Sequence, residues 1–154
     1  MLPLDGDRQP FPFLQTEFEE RQAQFSPNGR WLAYISNESG RFEVYVRLFP
    51  PAAGKWQVST GGGEQPRWRR DGKELFYAAP DHTLMALDVK TDAPTLQSGV
   101  PKALFGTRII ESGTPGSDYA VTADGQRFLL NSLIEEASHS PITVVLNWAA
   151  GLKR

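Results

Sequence analysis

Arg67, Arg69, Arg70 and Lys73 gather around Trp68 and form the most concentrated basic cluster in the sequence. Guanidinium forks match carboxylate and phosphate oxygens two at a time. Three of them within residues 67–70 therefore point to an anion- or acidic-partner-binding patch. On a strand, the two-residue period puts Arg67 and Arg69 on one side and Trp68 on the other. A plain structural reading fits the same pattern: Trp68 packs into a core, and the arginines pair with acids such as Glu64 or Asp71. The sequence leaves both readings open.

The other chemistry-bearing residues make no catalytic constellation. Gly61-Gly62-Gly63 is followed by Glu64-Gln65 rather than the Lys-Ser/Thr of a phosphate loop, and reads as a linker between repeated units. His82 and His139 stand 57 residues apart with no acids at ligand spacing, so each reads as a surface turn and no metal site is expected. Ser138-His139-Ser140 sets hydroxyls beside an imidazole, but neighbours in one loop rarely reach nucleophile–base geometry, and no Gly-x-Ser-x-Gly elbow exists. Asn37-Glu38-Ser39 matches a glycosylation sequon but coincides with a turn that accounts for its Asn and Ser. Glu135-Glu136 reads as solvated surface. With no cysteine there are no disulfides, thiolate zinc sites or thiol nucleophiles. No catalytic residue and no cofactor is expected.

These residues are carried by 154 amino acids, a length that suits one domain. Hydrophobic residues at 40% and aromatics at 11% argue for a packed fold rather than disorder. The 16 basic and 18 acidic side chains leave a net charge of −2, which makes no electrostatic case for nucleic acid or an anionic membrane. Residues 1–10 lack the apolar stretch of a signal peptide. The most apolar run, Ile142 to Leu146 with Trp148 to Ala150 beyond, falls short of the roughly 18 residues of a spanning helix. No membrane insertion is expected of this chain. Leu2 to Asp7 reads as a strand entering a turn with no strand before it, as though the chain began inside a domain.

An internal repeat organises the rest. Gln24 to Tyr34, Arg67 to Tyr77 and Ala120 to Leu130 superimpose on the turn glycines Gly29, Gly72 and Gly125. Four residues before each glycine lies Phe25, Trp68 or Val121; three after it lies Leu32, Leu75 or Phe128. The glycines are 43 and 53 residues apart. A period of about 40–45 residues built from short strands is that of a four-stranded propeller blade. Runs such as Leu75-Phe76-Tyr77-Ala78-Ala79 are continuously apolar, as a strand covered on both faces requires. The fold expected is all-β: a partial β-propeller of about three four-stranded antiparallel blades, its ring not closed by this chain alone. Residues 1–16 form a remnant of a preceding blade, 17–61 and 62–106 two blades, and 107–154 an incomplete last one. The longer second interval falls in Gly106 to Gly116, a loop that serves either binding or spacing.

Phe25-Ser26-Pro27-Asn28-Gly29, then Trp31-Leu32-Ala33-Tyr34 and Val44-Tyr45-Val46, resembles the TolB-like, WD40-like propeller repeat of bacteria. Pro66 to Tyr77 resembles it more closely still. Ile142 to Trp148 resembles the end of propellers attached to bacterial eukaryotic-type serine/threonine kinases. His82 stands where that repeat usually has Gly and is expected in a left-handed conformation. The resemblance implies a non-catalytic protein- or ligand-binding module, a sensor or scaffold, in an extracytoplasmic (periplasmic) setting. It places the basic patch near the propeller mouth. The Gly-rich loop, His-Arg-Asp and Asp-Phe-Gly of a kinase are missing, so kinase chemistry is not expected of this chain. Two alternatives are the accessory gating propeller of a prolyl-oligopeptidase-like peptidase and a truncated gene product without independent function. Uncovered blade edges and faces predict self-association.

Overall fold

The computed structural model describes residues 1, 6, 8–50, 54–92, 95–109 and 118–132. Within them the chain is all-β, with antiparallel sheets and none closed into a barrel, a partial propeller-like fold. No described helix is long and apolar enough to cross a membrane.

The turns come first. Gly29, Gly72 and Gly125 all adopt positive φ, at 68°, 71° and 72°, a region that costs glycine nothing because it has no Cβ. Their amides donate to the carbonyls of Ser26, Arg69 and Thr122, three residues back, at 2.8–2.9 Å. Each turn joins the first two strands of a unit. β1 (Glu20–Phe25) thus pairs with β2 (Trp31–Ser36), and β3 (Glu43–Leu48) and β4 (Lys55–Gln57) complete a sheet in sequential order. The second unit repeats this with β5 (Glu64–Trp68), β6 (Glu74–Ala78) and β7 (Thr83–Lys90). Its outer strand is split. β8 (Gln97–Ser98) pairs with the end of β7, and β9 (Lys102–Gly106) pairs with its beginning. β7 runs to Lys90, and its last two residues are paired by β8 rather than left as a bare edge. The third unit contributes the pair β10 (Tyr119–Val121) and β11 (Phe128–Leu130).

The link between the first two sheets is the glycine run. Gly62 takes φ 94°, and its amide donates to the carboxylate of Glu43, 2.8 Å away. That buried carboxylate also accepts the Ser59 hydroxyl, while Ser59 Oγ accepts the Val44 amide at 2.8 Å. His82 adopts φ 63°, the left-handed conformation expected where the repeat usually has Gly.

Packing follows the period of two. Along β2, Trp31, Ala33 and Ile35 enter a core with Trp68, Leu75 and Tyr77 of the second sheet. Along β6, Leu75 and Tyr77 face that core, while Phe76 faces a second one with Leu84, Ile109 and Tyr119. The second sheet is therefore covered on both faces, which is why its strands are continuously apolar. The far face of the first sheet is buried too: Leu32, Tyr34 and Tyr45 are at most 4% exposed. There the Phe13 ring lies against Phe49 and beneath the Arg47 guanidinium. The described residues 8–16, part of the stretch 1–16 expected as a remnant of a preceding blade, contain no strand. The propeller-like ending Ile142 to Trp148 and most of the Gly106 to Gly116 loop lie outside the described residues, as do His139 and Glu135-Glu136.

Candidate functional site

The first strands of the three units lie side by side, and polar side chains join them. β1 and β5 each carry a bulge, between Arg21 and Gln24 and between Glu64 and Arg67. At both bulges a glutamine takes φ 55°, a conformation few non-glycine residues adopt: Gln22 and Gln65. The bulge turns each glutamine toward the next unit. Gln22 Oε1 accepts the Gln65 amide at 2.6 Å, and Gln65 Oε1 accepts the Asp118 amide at 2.7 Å. Gln65 Nε2 also donates to Asp118 Oδ2 at 3.0 Å, and the Tyr119 hydroxyl donates to the Gln65 carbonyl at 2.8 Å. Gln22, Gln65 and Asp118 each lie seven residues before their turn glycine. One position of the repeat thus forms a seam from unit to unit. Burial pushes the Tyr119 phenol strongly up, so it stays protonated and donating at any ordinary pH.

The basic cluster is divided by this arrangement. Trp68 is buried in the first core, its indole N–H donating to the Gln24 carbonyl at 3.2 Å. Arg67, on the other side of β5, is partly buried; its guanidinium donates to the Pro66 carbonyl at 3.1 Å, and loss of water lowers its pKa. Arg69 forms a bidentate pair with Asp71 at 2.8 and 2.9 Å and reaches Glu74 at 2.6 Å. That pairing, with the Lys73 amide, pulls the Asp71 carboxyl down to about 2. Arg70 and Lys73 are exposed on the turn. The four cations therefore form no single surface. Arg67 and Arg69 are engaged within the fold, and only Arg70 and Lys73 face outward.

Two hollows adjoin these elements. An open groove of about 740 Å3 runs from Asp71 and Lys73 past Asp88, Lys90 and Asp92 to Gly99. A cleft of about 210 Å3 lies at the opposite end of the sheets, among Arg41, Glu64, Gln65 and His82. Among the described residues no cluster of three or more His, Asp or Glu is placed to hold a metal ion.

Sequence reasoning missed the seam. Nothing in the residue types of Gln22, Gln65 and Asp118 marks them, and their only sequence signal is the shared offset from the glycine. No protein-family model matches the chain, and a search of curated proteins finds no match.

Proposed function

We propose that this chain is a non-catalytic recognition or scaffold module, part of a TolB-like, WD40-like propeller of the kind that bacterial eukaryotic-type serine/threonine kinases carry outside the membrane. The observation that supports it most is the seam: a single repeat position, Gln22, Gln65 and Asp118, joins three successive units edge to edge. Units stacked in series on a common inner row, with their loops gathered at two ends, make a surface for binding rather than a pocket for bond-breaking. Reading the gene's flanks tests this. An upstream kinase domain with a membrane span agrees with the proposal. A downstream hydrolase domain with a Gly-x-Ser-x-Gly elbow replaces it with a peptidase's gating propeller.

The units number three in this reading, fewer than the roughly four that the smallest closed propeller needs. Leu129 on β11 is 77% exposed and Val100 79%, apolar surface of the kind that self-associates. The isolated chain is expected to show a light-scattering mass that rises with concentration, reduced by Leu129→Lys. A monodisperse monomer throughout would remove self-association from the proposal.

A further inference from the structure

We propose that the row of repeat turns at one end of the sheets is a docking surface for an acidic segment of a protein partner; this rests on reading the chain as a binding module. The turns at residues 26–30, 69–73 and 122–127 are neighbours. The Thr91 hydroxyl joins the first two, accepting from Asn28 Nδ2 at 3.3 Å and donating to the Gly72 carbonyl at 3.5 Å. The third abuts the second so closely that a methyl group on Gly125 would stand 2.7 Å from Arg69 Cδ.

Within every turn the acceptor before the glycine is used internally. Asn28 Oδ1 accepts the Ser26 hydroxyl at 2.8 Å and the Arg30 amide at 3.1 Å. Asp71 is taken by Arg69 and the Lys73 amide, and Asp124 Oδ1 accepts the Thr122 hydroxyl and, at 3.0 Å, the Gln126 amide. The cations beyond the glycines do the opposite. Arg30 and Lys73, directly after Gly29 and Gly72, and Arg127, two residues after Gly125, are exposed, one on each turn, and Arg70 is exposed beside them. Arg69 offsets one of its two partners, Asp71 and Glu74, which leaves four outward cations against one remaining carboxylate there and that of Asp124. The groove continues the row past Lys90, where Asp88 is engaged by Lys102 at 2.8 Å and Asp92 is exposed. A chain with net charge −2 that shows its cations along one line fits a carboxylate-rich protein segment better than nucleic acid, which the whole-molecule charge repels.

The test is fluorescence anisotropy with an oligoglutamate peptide of roughly ten residues, about 33 Å when extended. Binding to the full chain is expected at low salt and should weaken as salt shortens the Debye length to about 8 Å. Arg30→Ala, Arg70→Ala, Lys73→Ala and Arg127→Ala should each weaken it about two- to five-fold, and the combined variant should abolish it. Asp92→Asn should leave binding equal or tighter. Arg41→Ala, at the opposite end of the sheets, should leave it unchanged. Circular dichroism of the combined variant separates lost binding from lost fold. Three results would overturn the proposal: no binding at low salt, binding indifferent to the turn cations but lost in Arg41→Ala, or tighter binding of an oligothymidylate of equal charge. None of them touches the reading of the gene's flanks, so the two failures are distinguishable.

Discussion

The seam between the first and second sheets and the seam between the second sheet and the β10–β11 pair use the same repeat position but are closed by different forces. The first is mainly apolar: Trp31, Ile35 and Val44 pack against Trp68, Leu75 and Leu87, all 8% exposed or less. Its aromatic N–H groups are satisfied by backbone, Trp31 donating to the Thr91 carbonyl at 2.9 Å and Trp68 to that of Gln24. Between the first strands, Gln22 Oε1 accepts the Gln65 amide beside the Trp68–Gln24 bond. The second seam, among the described residues, has fewer fully buried apolar groups. Phe76 and Leu84 are covered, but Val121, Phe128 and Leu130 only partly. Its inner row is correspondingly richer, with the reciprocal Gln65–Asp118 pair and the Tyr119 phenol. Directed bonds cross both seams; what differs is the apolar core behind them, large at the first and smaller at the second.

The difference can be broken from its strongest side. Trp31→Ala removes a fully buried indole and its edge-on contact with Trp56, and should cost about 3–5 kcal/mol in urea unfolding, enough to threaten the fold. At the second seam, Gln65→Ala deletes both side-chain bonds to Asp118 and should cost about 1–3 kcal/mol by the same measurement. Tyr119→Phe leaves the ring buried but removes the donor to the Gln65 carbonyl, for about 0.5–1.5 kcal/mol. If the two-seam comparison holds, the Gln22→Ala penalty is smaller than that of Gln65→Ala, because only one bond is lost.

The smallest expected effect is one of pH, on the turn beside the second seam. Asp71 is held at about 2 by Arg69 first and by the Lys73 amide second. A carboxyl depressed on folding adds stability above its unfolded pKa of about 4, and that contribution disappears as pH falls through about 2. Asp71→Asn should therefore lower stability slightly at neutral pH and flatten its decline between about pH 4 and 2. The change stays small because the side chain is 44% exposed and water screens the pair.

Much of this molecule was legible in advance, and for a physical reason. A tight turn that needs positive φ selects glycine, so Gly29, Gly72 and Gly125 mark the hairpins. Coverage on both faces leaves continuous apolar runs, so β2 and β6 stand out. The conformation of His82 followed from the turn it occupies. The basic cluster was legible only as composition. Arg69 and Arg70 are adjacent, yet one is paired with Asp71 and Glu74 while the other faces outward, a distinction set by the turn's return path. The split of the outer strand into β8 and β9 depended on how far β7 extends. The seam was hidden because a bulge, not a residue type, aims Gln22 and Gln65 at their neighbours. Residues 8–16, placed in the remnant of a preceding blade, form no strand and leave Phe13 on Phe49 and Arg47, a tertiary choice with no periodic signature.

Amide hydrogen exchange resolved by residue tests the serial seam most directly. Gln22→Ala should accelerate exchange of the Gln65 amide about five-fold, the loss of one hydrogen bond of about 1 kcal/mol, and leave the Asp118 amide unchanged. Gln65→Ala should do the same to the Asp118 amide. Exchange at Gln65 and Asp118 that ignores both substitutions, or that rises equally at both amides in either variant, would contradict a seam passed from one unit to the next.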